Sequence, residues 1–104
     1  MSRLFAFIDI FVEAPEMDNV VDALSKLKNL EELYEVTGEF DIVTLVSAAD
    51  IEEFRDVLKN QIMKIKGVKS TVSSVVLKVH KGPRINGDSN KAPLPLETPV
   101  METP

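Results

Sequence analysis

Residues 34–46 read YEVTGEFDIVTLV, two strand-like runs that meet at a glycine. Gly38 can adopt a positive φ without a Cβ penalty, as a tight hairpin usually requires. Asp41 stands where the second run begins, so its carboxylate is expected near the amide groups of the loop and could hold a small zwitterion. The stretch therefore predicts a hairpin, and it leaves open whether that hairpin is only structural or also binds a ligand.

The segments on either side extend this hairpin into a regular alternation of strands and helices. Strand patterns cover Leu4 to Val12, Leu30 to Thr37, Asp41 to Ser47 and Thr71 to His80. One helix starts near Pro15 and is closed by Lys26 and Lys28; a second starts at Asp50, with Glu53 completing a capping-box-like pair, and stops at Gly67. The order is β-α-β-β-α-β, and right-handed crossovers place the strands in the spatial order 4-1-3-2. We expect an α+β fold, a ferredoxin-like sandwich with an antiparallel sheet and both helices on one face.

The two faces of this sheet are expected to have different neighbours. The first and third strands are apolar on both faces, which predicts that they are central and covered on both sides. On the helix side we expect Ile8, Ile10, Val43 and Leu45 to face Leu24 and Phe54. The open side should expose an apolar set: Phe5, Phe7, Phe11, Val72 and Val76. Such a patch marks an interface, so we expect dimerisation of sheet against sheet; alternatively, Phe5 and Phe11 tuck under loops or the tail.

Composition divides the chain into a folded domain at 1–81 and a tail at 82–104. The tail holds five of the six prolines and no aromatic residue, so it is expected to be disordered. The chain has no cysteine, which excludes disulfides and thiolate chemistry. Neither a signal peptide nor an apolar run long enough to span a membrane is evident, so a cytoplasmic protein is expected. A net charge of −5 argues against direct nucleic-acid binding, which needs a basic patch.

The candidate functional residues favour binding over catalysis. The single histidine, His80, is expected to be solvated at the end of an edge strand, and no nucleophile elbow, P-loop or metal-ligand spacing occurs. We therefore predict no enzymatic activity and no cofactor or metal. Thr71 and Ser73 share one side of the last strand, where their hydroxyls can donate to a carboxylate while Asp41 accepts from an ammonium. That chemistry suits an α-amino acid, although Thr71 and Ser73 equally favour a strand and Asp41 equally caps a turn.

Two motifs in this order resemble a known family. They are Tyr34-x-Val36-Thr37-Gly38-x-x-Asp41 and Gly67-Val68-x-x-Thr71-x-Ser73-x-Val75-Val76-Leu77-Lys78. Over residues 5–80 the chain resembles the ligand-binding domain of the Lrp/AsnC (feast/famine) transcriptional regulators, also called the RAM domain. The resemblance implies dimers that pair sheet to sheet, assemble further and bind amino acids between dimers.

The resemblance also implies which residues meet the ligand. Gly38 and Asp41 would come from one chain, with Tyr34 and Thr37 in the same motif, and Thr71 and Ser73 would come from a neighbouring chain. Threonine is usual where Ser73 stands, and serine keeps the hydroxyl. Family regulators carry an N-terminal helix-turn-helix, whereas here the first strand begins at Leu4, so a stand-alone module is expected.

Several partners and two other functions remain open at this stage. The module could form a homo-oligomer, associate with full-length Lrp/AsnC regulators, or serve an unrelated enzyme as its amino-acid sensor. The alternatives are a ferredoxin-like dimeric α/β-barrel enzyme and an assembly scaffold that binds no ligand.

Overall fold

The computed structural model describes residues 3–82. The strands are β1 (Leu4–Val12), β2 (Leu30–Glu35), β3 (Ile42–Ala48) and β4 (Val68–Val75). A 3-10 turn (Ala14–Glu16) leads into α1 (Met17–Ser25), and α2 (Ile51–Asp56) continues as a π-helical segment (Val57–Ile62). The predicted β-α-β-β-α-β order is confirmed. Beyond Gly82, the predicted tail lies outside the described residues, and within residues 3–82 no helix is long and apolar enough to cross a membrane.

The four strands form one antiparallel sheet in the order β2-β3-β1-β4. This is the predicted order 4-1-3-2 read from the other edge. The two central strands, β1 and β3, are the most apolar. Edge strand β2 carries three glutamates, whereas edge strand β4 is rich in serine and carries Lys69 as its one charged residue. The sequence prediction of the fold class is therefore confirmed.

The core lies between the sheet and the helices. From β1 it takes Ala6, Ile8, Ile10 and Val12, and from the helices it takes Leu24 and Phe54, as expected. The residues predicted for β3 were wrong. Ile8 pairs with Thr44 and Ile10 with Ile42, so Ile42, Thr44 and Val46 face the helices. Val43 and Leu45 pair with Asp9 and Phe7 on the open face.

A buried hydroxyl accompanies this register. Thr44 is fully buried, and its hydroxyl donates to the carbonyl oxygen of Ile8 at 3.1 Å. The hydrogen bond satisfies a polar group that would otherwise be costly inside an apolar core.

The helix boundaries follow local chemistry. Pro15 lies in the 3-10 turn that precedes α1, and α1 ends at Ser25 with Lys26 as its C-cap, so Lys28 falls outside the helix. At the start of α2, the Asp50 carboxylate accepts from the Glu53 amide at 2.9 Å. The Glu53 carboxylate accepts from the amide of Ala49 at 3.2 Å, one residue before the N-cap that a capping box would use.

The last strand begins and ends earlier than the predicted range of Thr71 to His80. It spans Val68 to Val75, and the amide of Val76 still donates to the Phe5 carbonyl at 2.8 Å. β1 begins at Leu4, so hardly any of it lies beside the residues that follow Val76, and Leu77 is 97% exposed.

Candidate ligand-binding site

The hairpin between β2 and β3 is closed at its base and open at its tip. The amide of Val36 donates to the carbonyl of Asp41 at 3.0 Å. Gly38 has a φ of 118°, a conformation that favours glycine. A Cβ placed on Gly38 would meet no heavy atom of the described residues within 4 Å. The space beside the tip can therefore admit a ligand or another protomer close to the backbone, and Thr37 lies exposed beside it.

Asp41 joins this hairpin to the end of β1. Its amide donates to the carbonyl of Ile10 at 3.1 Å, and its Oδ2 accepts from the amide of Val12 at 2.8 Å. Val12 is also the position where the pairing of β1 with β4 shifts register, with Phe11 opposite Ser70 and Val12 opposite Val68. The Asp41 carboxylate therefore has a structural role, although it binds an amide of β1 and does not cap its own turn as one interpretation expected. A carboxylate accepts several hydrogen bonds, so this contact does not use all of its capacity.

Thr71 and Ser73 lie on one side of β4, as their spacing predicts. They pair with Ile10 and Ile8, so they share the helix side of this edge strand. Thr71 is half-buried and Ser73 is exposed. Within residues 3–82 neither hydroxyl makes a hydrogen bond, which leaves both able to donate to a bound molecule.

One protomer does not bring Asp41 and these hydroxyls together. Asp41 adjoins β1 on one side and Thr71 adjoins it on the other. Two strand spacings separate their backbones by about 10 Å. A single small ligand could contact both sets only if the second set came from another protomer, and that arrangement stays a prediction.

Tyr34 lies farther along β2 than the hairpin tip. It pairs with Val43, which places it on the open face of the sheet. Its hydroxyl donates to Oε1 of Glu32 at 3.1 Å. The structure therefore separates Tyr34 from Thr71 and Ser73, which lie on the helix side.

The open face carries the five apolar residues expected there. Register places Phe5, Phe7, Phe11, Val72 and Val76 on the side opposite the core. Phe7 is 38% exposed and Val72 is 46% exposed. Asp9, between Phe7 and Phe11, is the acidic residue of β1 on this face. Whether these residues form an interface stays a prediction.

Phe40 is a residue that sequence reasoning left unassigned. Its ring centroid lies 4.8 Å from that of Phe11, so the hairpin loop partly covers Phe11. This agrees with the alternative that Phe11 tucks under a loop. The available signal was that Phe40 is the only aromatic residue in the loop between β2 and β3.

A βαββαβ domain with an exposed apolar sheet face and an open hairpin tip defines a small ferredoxin-like module. The chain belongs to the Lrp/AsnC family, because residues 5–85 match the Lrp/AsnC ligand binding domain. This confirms the family that the two motifs indicate.

The relatives fall into two classes of protein. The HTH-type transcriptional regulator FL11 of Pyrococcus furiosus is 37% identical over 79 residues, which are 76% of this chain and 52% of FL11. The homocitrate synthase of Sulfurisphaera tokodaii is 39% identical over 59 residues, which are 57% of this chain and 13% of that enzyme. The chain spans about half the length of the curated regulators it matches.

Among the similar solved structures is a complex with an amino acid. It is the feast or famine regulatory protein from M. tuberculosis complexed with L-methionine. It superposes with a TM-score of 0.66 at 29% identity, over 78% of this chain and 54% of the other.

Proposed function

We propose that this chain is a non-enzymatic amino-acid effector-binding and assembly module of the cytoplasm. The observation that carries the proposal is the L-methionine complex of a family member with the same fold. The open hairpin tip and the two unengaged hydroxyls of β4 supply groups that fit the same class of ligand.

The proposed site combines residues of two protomers. Gly38 lets the hairpin backbone approach the ligand, and Asp41 uses its remaining acceptor capacity for the ammonium group. Thr71 and Ser73 of the neighbouring protomer donate to the carboxylate. Thr37 borders the tip. Tyr34 lies on the open face and would affect the site only indirectly, by positioning β2. Such a site selects for the zwitterion shared by all α-amino acids, and the groups around the side chain select among them.

The proposed first assembly step is a dimer formed by the open face. Phe7 and Val72 lose exposed apolar area when a second sheet covers them. Full burial of a side chain of this size is worth about 1.5–3 kcal/mol. Dimers then meet around the hairpins, where the ligand binds.

Ligand binding would act on assembly through linkage. A ligand that binds only the assembled form stabilises it by RT ln(1 + [L]/Kd), which is about 2.7 kcal/mol at a hundredfold excess over Kd. In a mixed oligomer with a DNA-binding relative, the same free energy would shift the relative's assembly state and hence transcription.

Light scattering with and without a mixture of the twenty amino acids tests this proposal. We expect a multiple of the dimer whose mass or melting temperature changes with the mixture, and subdivision of the mixture would identify the effector. The double variant Thr71→Val, Ser73→Ala should abolish the change. Ser25→Ala is the control, because Ser25 is an exposed hydroxyl residue at the end of α1, away from β4 and from the open face. An assembly indifferent to every amino acid would refute the sensing function.

The homocitrate synthase match favours a second candidate, in which the module senses an amino acid for an enzyme. The match covers 57% of this chain but 13% of the enzyme, so it concerns a module within a larger protein. Co-expression with a DNA-binding family member and, separately, with a biosynthetic enzyme would distinguish the two, since only the true partner should form a complex of defined mass.

A further inference from the structure

The exposed apolar face of the sheet has a carboxylate near its centre. Asp9 lies between Phe7 and Phe11 on β1. It pairs with Val43 of β3 and with Val72 of β4. Asp9 is half-buried, and within the described part of the chain it makes no hydrogen bond or ion pair. A partner that covers this face therefore has to cover an uncompensated charge.

The charged groups around Asp9 make the open face acidic. Glu32 lies on this face by its register with β3. The Ser47 hydroxyl, also on this face, donates to Oε2 of Glu31 at 2.7 Å and accepts from Nε of Arg3 at 3.3 Å. Among the described residues, register and hydrogen bonding thus place three carboxylates and one guanidinium on the open face. A second copy of the same face would bring like charge towards like charge.

Arg3 does not neutralise Asp9 within one protomer. Ser47, which holds the Arg3 side chain, pairs with Phe5, and four residues of β1 lead from Phe5 to Asp9. That length of strand is about 13 Å, which exceeds the screening length of about 8 Å at physiological salt. An ionised carboxylate that is covered by apolar side chains without a cation is costly. Face-to-face packing of two identical copies therefore carries a penalty at Asp9.

We propose that the open face preferentially binds a relative of this chain, a βαββαβ module whose own open face carries a lysine or arginine at its centre. This choice of partner rests on the sheet-to-sheet dimer proposed above and goes beyond it. A partner of the same fold supplies a sheet of matching twist, and a long cationic side chain can reach into the gap of about 10 Å between packed sheets. The ion pair offsets the penalty at Asp9, so mixed assembly is favoured over self-assembly.

The variant Asp9→Lys supplies such a partner from the chain itself. Native mass spectrometry of its mixture with wild type separates the mixed dimer from the two homodimers. We expect the mixed dimer to dominate, with a Kd about tenfold below the geometric mean of the homodimer values, because only the mixed dimer pairs opposite charges. Glu52→Lys makes the same change of charge on the exposed side of α2 and should mix with wild type at random. Random mixing of Asp9→Lys as well would overturn the inference.

The variant Asp9→Asn tests whether the charge itself opposes self-association. Asparagine keeps the size of the side chain and removes the charge, so the homodimer should be about tenfold tighter than that of wild type in sedimentation equilibrium. A homodimer no tighter than wild type would contradict the penalty at Asp9. Arg3→Gln tests whether a second copy supplies the cation instead. If it weakens the wild-type dimer but not the Asp9→Asn dimer, the preferred partner is the chain itself and the inference is wrong.

The two proposals fail in different ways. If wild type stays monomeric both alone and in the mixture with Asp9→Lys, the sheet-to-sheet dimer itself is wrong. Dimerisation of the mixture alone would support the preferred partner. A wild-type dimer that Phe7→Glu dissociates, but on which Asp9→Asn and Asp9→Lys have no effect, would remove only the partner inferred here.

Discussion

Asp41 shows how one side chain can serve the fold and still be available to a ligand. Its Oδ2 holds the Val12 amide at 2.8 Å, across 29 positions of sequence. This contact fixes the hairpin against β1. Because Val12 pairs with Val68 after a shift in register, the same contact also helps to position the first residue of β4. A loss of ligand response in Asp41→Ala would therefore be ambiguous, since that variant removes both roles.

Comparing Asp41→Ala with Asp41→Asn separates the structural role of Asp41 from its proposed role in ligand binding. Alanine leaves the Val12 amide without its acceptor, and we expect a loss of about 1–3 kcal/mol in the free energy of unfolding. Asparagine keeps an oxygen acceptor but removes the charge, so it should retain most of that stability and lose the effector-induced change in melting temperature. Urea denaturation measures the stability of each variant, and thermal melts with and without the effector measure its response to the ligand. Equal stability of both variants would contradict the structural role.

Gly67 and Gly38 offer a matched pair for measuring a close approach of backbone to side chain. Both have positive φ, 107° and 118°. A Cβ at Gly67 would collide with Cβ of Glu16 and lie 2.9 Å from Cγ2 of Val20, whereas one at Gly38 would meet nothing within 4 Å among the described atoms. Both alanine variants carry the backbone penalty, but only Gly67→Ala must also push α1 away.

We therefore expect Gly67→Ala to lower the free energy of unfolding by about 1–3 kcal/mol more than Gly38→Ala does. Urea denaturation of the two variants measures the difference. Equal losses would mean that α1 can move aside at no cost, against the packing described here.

At the scale of elements, a polar network fastens the N-terminus of α2 to the turn before β2. Asn29 is 4% exposed, and its side-chain amide donates to the Ser47 carbonyl at 2.8 Å and to Oε2 of Glu53 at 2.6 Å. The Ser47 amide donates back to the Asn29 carbonyl at 2.9 Å. The hydrogen bond from Asn29, and then that from the Ala49 amide, hold the pKa of Glu53 below its ordinary value of 4.5.

A lowered carboxyl pKa gives a pH dependence of defined sign. Glu53 binds protons less readily in the folded state than in the unfolded state, so its contribution to stability is present above the ordinary pKa and is lost as pH falls through the lowered one. Glu53→Gln should therefore be less stable than wild type near neutral pH, and the difference should shrink in acid. Urea denaturation across that range tests this, with Glu52→Gln as the control for net charge. A difference that persists at the acidic end would contradict the role assigned to ionised Glu53.

The strands also show which features of the fold the sequence pattern could predict and which it could not. Charge on the edge strands and apolar residues on both faces of β1 were enough to predict the sheet order. The same two-sided apolar pattern made the facing of β3 ambiguous, and Val43 and Leu45 were assigned to the wrong side because alternation cannot rank two apolar faces. The end of β4 depends on where β1 begins, and the residues of β4 themselves do not encode that position.

The candidate site was less predictable, because its geometry also depends on neighbouring strands that are distant in sequence. The spacing of Thr71 and Ser73 sufficed to place them on one side of a strand. The contact of Asp41 with Val12 joins residues that are remote in sequence, and no local pattern distinguishes it from an exposed turn. The motif groups Tyr34 with the hairpin tip, whereas the register assigns it to the open face.

At the scale of the whole molecule, the open face of the sheet exposes apolar side chains to solvent. Phe7 and Val72 are 38% and 46% exposed in the single protomer, and an apolar face of this kind on a domain of about 80 residues favours association. Phe11 is partly covered by Phe40, so the loop between β2 and β3 protects one end of the face and leaves its centre open.

Phe7→Glu tests whether this face forms the dimer. A charge at that position would have to be desolvated beneath a second sheet, so we expect the variant to be monomeric at concentrations where wild type is dimeric. The exposed side of Phe7 makes the change tolerable to the monomer itself, and its melting transition should remain cooperative. Ile51→Glu is the matched control, because Ile51 is 49% exposed on α2 and lies on the helix side of the molecule. Sedimentation equilibrium of the two variants measures the result. If Ile51→Glu dissociates the protein and Phe7→Glu does not, the helices rather than the sheet form the interface.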